Sequence, residues 1–333
     1  MPAAKRADLV LSGGGVKGIG LVGSAAALVD AGYVPQRVSG TSAGALVGAV
    51  LAAAAQHGPV DGAQLSALAM AIDYRKFLDQ GPIERIPLAG PAWGVLTGSG
   101  IYRGDNLHAW VHERLAEYGV FTFADLAIRD RSLPPEQRYR LVVTVADVSL
   151  GQLVRLPWDY QRLYGLNPDE QLVADAVRAS TAIPFFYRPA TLTSADGRES
   201  TLVDGGLLSN FPIESLDRTD GRKPRWPTFG VTLLPDLPAQ NAQIFPALRT
   251  LHWIRPPTLL EQVVTTLLVG HDQAYLNQPR VAARSIRVDT SDVGVLDFDL
   301  SDQEKAAAYD DGYRAAEEFL STWDWARYVA EFR

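Results

Sequence analysis

Three short motifs in this chain set glycines around one hydroxyl and one carboxylate: GGGVKG at 13–18, GTSAG at 40–44 and VDGG at 203–206. A glycine turn between a strand and a helix presents a row of backbone N–H groups at the positive end of the helix dipole. Such a row holds an anion, either a cofactor's phosphate or the oxyanion of a reaction intermediate. GTSAG has the G-x-S-x-G spacing of a nucleophile elbow. Gly40 and Gly44 clear the space around a sharp turn, and Ser42 stands at a helix start where developing negative charge is favoured. In VDGG, Asp204 ends a β-branched run just before Gly205 and Gly206, so a carboxylate sits where α/β sheets place their functional groups. Each motif alone has a plainer reading: a strand-to-helix turn, a serine N-cap, a turn aspartate.

The first motif also fits G-x-G-x-x-G, but dinucleotide recognition requires an acidic residue at the end of the second strand to hold the ribose. That strand ends RVSGTSAG instead, and the nearby acid, Asp30, falls at the end of the intervening helix. A Walker A loop is excluded because Lys17 is followed by Gly18 rather than Ser or Thr. With no cysteine in the chain, thiolate metal sites and a Cys nucleophile are excluded as well. A serine nucleophile needs a base. None of the five histidines (His57, His108, His112, His252, His271) falls in a sharp turn after a core strand. The pair His108 and His112 in HAWVH lacks the glutamate of a zinc-protease helix. Asp204 is the better base, because a carboxylate whose pKa is raised by burial accepts the serine proton directly. Two other readings stay open: a triad of Ser42, Asp204 and His252 or His271, and a non-catalytic sensor that binds an anionic ligand such as a nucleotide on the glycine loop.

The elements that must position these residues alternate. ADLVLS (7–12) reads as a buried strand, 19–30 as a helix, QRVSG (36–40) as a strand, and a second helix follows TSAG. This order implies a parallel sheet with right-handed crossovers, which brings both turns to the same carboxyl edge. Further on, 102–119 has helical spacing, 139–157 reads as two strands around a turn, and 169–184 as a helix ended by Pro184. Strands are expected at 200–204, 227–234 and 284–290, and a mostly helical apolar stretch at 245–276. The final helix opens with Ser301 and Glu304 in capping-box spacing. Residues 72–100, rich in Gly and Pro, read as a cover over a site or a long surface connection. One domain over 1–333 is expected, with its core at about 7–290 and a helical segment at 300–330.

Composition narrows the function classes. The formal charge is −7 and the chain is 47% hydrophobic and 21% charged, which fits a globular protein and argues against a general nucleic-acid binder. The start MPAAKRADLVLSGGG holds no apolar run long enough for a secretory signal, so a cytoplasmic location is expected. The apolar stretch 43–55 is too short to span a bilayer, which takes about 20 residues. Contact with a membrane or micelle surface is expected through 87–96 and 251–270, which carry Trp93 and Trp253. For both stretches burial or a homo-oligomer contact is an equal alternative.

Together and in this order, the three motifs resemble those of the patatin-like phospholipases. ADVSLGQLVRL, ASTAIPFFYRP, SNFPI and the closing FDLSDQEKAAAYDDGYRAAEEF share in the resemblance, which covers most of the chain. The resemblance implies a three-layer α/β/α sandwich around a mainly parallel sheet and hydrolysis of fatty acyl esters of glycerolipids. It also implies Ser42 as nucleophile, Asp204 as its base, and Gly13, Gly14 and Gly15 as oxyanion donors in a loop completed by Lys17 and Gly18. Neither a metal nor an organic cofactor is expected.

Overall fold

A computed structural model describes residues 5–58, 60–79, 100–234, 273–290 and 293–333. The first half follows the expected alternation. Strand β1 (Lys5–Leu11) leads through a single 3-10 turn into α1 (Gly18–Asp30), β2 (Tyr33–Thr41) and α2 (Ala43–Ala54). The second strand starts three residues before the expected 36, because Tyr33–Pro35 pair with Lys5–Ala7 of β1 and so extend the ladder. Helix α3 (Gly62–Met70) and α4 (Asp105–Ala116) follow, then the hairpin β3 (Leu141–Asp147) and β4 (Gln152–Leu156).

Beyond the hairpin come α5 (Tyr160–Tyr164), α6 (Val173–Ser180), β5 (Ala190–Thr193), β6 (Glu199–Asp204) and β7 (Thr228–Leu234). The chain then gives α7 (Gln273–Leu276), α8 (Pro279–Ala282), β8 (Ser285–Asp289), α9 (Asp302–Thr322) and α10 (Trp325–Phe332). Helix α6 is shorter than the expected 169–184. Thr181 Oγ1 donates to the Val177 carbonyl at 3.1 Å, satisfying one orphan carbonyl at the helix end. Pro184 disfavours helical backbone at the residue before it. Helix α9 carries the expected capping box, with the Glu304 N–H on Ser301 Oγ and the Ser301 N–H on Glu304 Oε2. Residues 80–99 of the expected cover, with Trp93, and 245–272 of the apolar stretch, with Trp253, His252 and His271, lie outside the described residues.

The sheet runs β5-β6-β3-β2-β1-β7-β8, with β4 also paired to β3. Pairs β2–β3, β1–β2, β1–β7 and β7–β8 are parallel; β3–β4, β3–β6 and β5–β6 are antiparallel. The sheet is thus mostly parallel, flanked by helices. On one face Leu9, Leu11, Val143, Phe229 and Val231 join α1, α2 and α4 in the main core. On the other, Val10 and Val142 meet Phe211, Ile213, Leu276 and Val281.

Strand β3 shares one edge between two strands. Strand β4 occupies the other edge over Val143–Asp147, so β2 and β6 must both lie on the edge opposite it. Strand β2 runs parallel to β3 and ends at Thr41↔Thr144, while β6 runs antiparallel and ends at Val145↔Asp204. The two strands therefore meet head-on, and the residues at their carboxyl ends become neighbours.

Helix α1, which leaves the glycine loop, is fixed by α9 at a very close crossing. Ser24 Oγ donates to the Gly312 carbonyl at 2.7 Å, and a Cβ on Gly312 would lie 2.0 Å from the Gly20 carbonyl oxygen. Replacing Gly312 by Ala forces this crossing apart, and chemical denaturation is expected to show a loss of about 1–3 kcal/mol.

Candidate active site

Ser42 stands between β2 and α2 at φ 52°, ψ −120°, a backbone conformation that L-residues rarely adopt. The turn is possible because two backbones touch there: a Cβ on Gly40 would sit 2.2 Å from the Gly44 carbonyl oxygen, and one on Gly44 2.3 Å from that of Leu11. Strain of this kind costs of order 1–3 kcal/mol and persists only where the surroundings over-determine it. Ser42 makes no side-chain cap to α2. Its hydroxyl donates instead to Asp204 Oδ2 at 2.6 Å.

Asp204 is 1% exposed and Ser42 5%. The other carboxylate oxygen, Oδ1, accepts the Gly206 N–H at 2.8 Å. Gly205 presses against the strand, where a Cβ would meet the Thr144 carbonyl oxygen at 2.4 Å. Burial disfavours the charged carboxylate and raises the Asp204 pKa to about 7, with the hydrogen bonds from Ser42 and Gly206 pulling the other way. A carboxyl group poised there is half ionised at neutral pH and can both accept and return a proton.

Motif reading missed the frame around this pair. The Ser42 N–H donates to Ser180 Oγ at 2.9 Å, and the Ser180 hydroxyl donates to the Thr144 carbonyl at 2.7 Å. The Thr144 hydroxyl donates to the Gly40 carbonyl at 3.0 Å and accepts from Thr41 Oγ1 at 3.0 Å. Thr144 thus joins the end of β2 to the helix carrying Ser180. Ser180 lies in the ASTAIP stretch, but its contact spans 138 residues, so no local spacing announces it.

The glycine loop runs alongside Ser42: a Cβ on Gly13 would lie 3.1 Å from Ser42 Cβ and 2.2 Å from Asn210 Oδ1. The Gly13 N–H donates to the Asn210 carbonyl at 3.2 Å. Among the described residues, the Gly14 and Gly15 N–H groups meet no acceptor. Gly15, at φ 59°, packs its Cα against the Val295 carbonyl, which also accepts the Val16 N–H at 3.1 Å. Lys17 is buried in the 3-10 turn Gly15–Lys17, and Gly18 opens α1 against Ala43. Beside Ser42 lies an apolar cavity of about 50 Å³, walled by Leu46, Tyr74, Phe77, Leu107, Tyr187 and Phe298 among others.

The described histidines lie on other partners. His57 Nε2 is 2.9 Å from the Tyr118 carbonyl oxygen, His108 Nε2 is 2.7 Å from Asp175 Oδ1, and the His112 ring lies against Phe121. Asp30 is reached by the Tyr313 hydroxyl and stands beside Gly62. Among the described residues no group of three or more His, Cys, Asp or Glu is placed to hold a metal ion, and no helix is long and apolar enough to cross a membrane.

Comparison with known proteins adds a lineage to this geometry. The family model of patatin-like phospholipases matches residues 9–217. The protein YqhO of Bacillus subtilis is 34% identical over 95% of this chain and 98% of its own length. An NTE family protein of Mycobacterium tuberculosis is 29% identical over 94% of this chain, which spans 46% of that relative. Among solved structures, VipD from Legionella pneumophila superposes with a TM-score of 0.51 at 21% identity, over 96% of this chain and 67% of VipD. That level of identity speaks for the fold alone.

Two measurements test the frame. Ser180→Ala leaves the buried Ser42 N–H without its acceptor, and denaturation is expected to show a loss of about 1–3 kcal/mol. Asp204 has a folded-state pKa of about 7 against an ordinary 3.8, so between these values the folded chain binds more protons than the unfolded one. Its contribution is full below the unfolded value and is lost as pH rises through the folded one. Asp204→Asn is therefore expected to raise the melting temperature relative to the parent above neutral pH, with the gain shrinking on acidification.

Proposed function

Since the chain belongs to the patatin-like phospholipase family, we propose that it is a serine hydrolase of fatty acyl esters in phospholipids or lysophospholipids, working through a Ser42–Asp204 dyad. The family supports lipid acyl hydrolysis in general. The finer reading is carried by one observation, the direct 2.6 Å hydrogen bond from Ser42 Oγ to Asp204 Oδ2. In a Ser-His-Asp triad an imidazole stands between hydroxyl and carboxylate. At 2.6 Å there is no room for one, which favours the dyad over a triad with His252 or His271.

In the proposed reaction ionised Asp204 takes the Ser42 proton as Oγ attacks the ester carbonyl. The tetrahedral oxyanion is met by backbone N–H groups of the glycine loop. Gly14 and Gly15 supply them, and Gly13 provides clearance beside Ser42, since its own N–H lies on Asn210. Protonated Asp204 returns the proton to the leaving alcohol oxygen, giving an acyl-serine and a free alcohol. Water, deprotonated by Asp204, then attacks the acyl-serine, and Ser42 regains its proton as the fatty acid leaves. No step calls on a metal or an organic cofactor.

The substrate would be met at a membrane or micelle surface by a peripherally bound, cytoplasmic enzyme. A second reading, anion or nucleotide sensing on the glycine loop, is disfavoured by the placement of Asp30 at the end of α1, away from Ser42 and next to Gly62.

Release of fatty acid from short-chain and long-chain phosphatidylcholines and lysophosphatidylcholines in mixed micelles tests the proposal. Ser42→Ala is expected to abolish release, and Asp204→Asn to lower kcat by about a hundredfold to ten-thousandfold, the range for losing a general base. His252→Ala and His271→Ala are expected to retain turnover; loss with either one would restore the triad.

A further inference from the structure

The cavity beside Ser42 is small, apolar and walled by rings that hold one another. Phe298 is 9% exposed and stacks on Phe186 with ring centres 5.3 Å apart and planes 16° apart. Its edge meets Tyr74 at 6.5 Å, and Tyr74 in turn meets Phe77 at 6.0 Å. The Tyr187 hydroxyl donates to the Phe77 carbonyl at 3.2 Å, tying the far wall to the same group. Phe298 enters from the loop before α9, and three residues earlier Val295 holds the glycine loop through Val16. The residue that narrows the cavity is thus on the same short segment that fixes the loop beside Ser42. That segment lies outside residues 9–217, where the family model matches.

An ester carbonyl attacked by Ser42 Oγ, with its oxygen toward Gly14 and Gly15, sends its acyl group and its alcohol in different directions. Among the described residues, the cavity walls bear no charged side chain, so the acyl group belongs there and a polar head group does not. At about 50 Å³ the space is far below the roughly 300–1,000 Å³ of a pocket for a drug-sized ligand. A short acyl group fills it, whereas a long one must displace a packed ring.

Resting on the hydrolase reading above, the geometry points to Phe298 as the residue that sets acyl length: the enzyme takes lipid esters whose scissile acyl group is short, acetyl to butyryl, ahead of long-chain ones. Phe298 acts by occupying volume and takes no part in proton transfer.

The test is hydrolysis of p-nitrophenyl acetate, butyrate, octanoate and decanoate by the parent, Phe298→Ala and Phe298→Leu, with Ser42→Ala as the blank and thermal melts for each. The parent is expected to lose about tenfold or more in kcat/KM from butyrate to octanoate, and both Phe298 variants to raise the octanoate-to-acetate ratio by about tenfold. Phe298→Leu retains most of the apolar packing and keeps the test decisive if the alanine variant does not fold. A parent that prefers octanoate, or variants whose chain-length ratios match the parent's, would overturn the assignment of Phe298 while leaving the hydrolase reading intact. No turnover above the Ser42→Ala blank on any ester would overturn the hydrolase reading, and this inference with it.

Discussion

The site depends on one edge of one strand. Strand β3 pairs with the end of β2 through Thr144 and, one residue later, with the end of β6 through Val145. Because those two strands approach from opposite directions, Ser42 and Asp204 emerge at a single point, and their 2.6 Å hydrogen bond follows from sheet register rather than from loop placement. Thr144 is the pivot. Its hydroxyl holds Gly40, its carbonyl takes Ser180, and Gly205 lies flat against it. A side chain on Gly205 would push β6 from the pivot and separate hydroxyl from carboxylate.

Two costs are concentrated at this point. Ser42 is held in a strained conformation, and Asp204 carries its charge in a buried place, which raises its pKa to about 7. Both would relax in a less constrained protein. Here the contacts of Gly40 with Gly44, the Ser180 bond to the Ser42 N–H and the packing of Gly205 on Thr144 hold both in place. In the proposed reaction the same unfavourable burial that destabilises the ionised carboxylate is what would let it take a serine proton, so stability and reactivity would pull against each other in one residue.

Much of this was legible in the amino-acid sequence because the glycines announce themselves locally. Gly15, Gly40, Gly44 and Gly205 stand where backbone approaches backbone, Gly13 and Gly14 where the Asn210 and Leu233 side chains close in, and their spacing points to Ser42 and Asp204. The parallel first half of the sheet followed from strand and helix alternation. What was not legible depends on distance along the chain. Ser180 reaches Ser42 across 138 residues, Asn210 meets Gly13 across 197, and Val295 closes on Val16 from the far end of the chain. None has a spacing that signals its partner. The antiparallel direction of β6 was equally hidden: β4 leaves one edge of β3 free and so decides where β6 lies, but not which way it runs. Burial shows that β6 is a core strand without telling which way it runs.

The central claim is that the hydroxyl of Ser42 is activated by the Asp204 carboxylate alone. The most direct measurement is the rate at which a fluorophosphonate labels the protein as a function of pH, with the modified peptide mapped by mass spectrometry in the parent and in Asp204→Asn. The account predicts an adduct on Ser42 whose rate of formation rises with pH with a midpoint near the Asp204 value of about 7, and which is nearly lost in Asp204→Asn. Labelling of Ser42 that is indifferent to pH through neutrality and proceeds equally well in Asp204→Asn would contradict it, as would an adduct on any other residue.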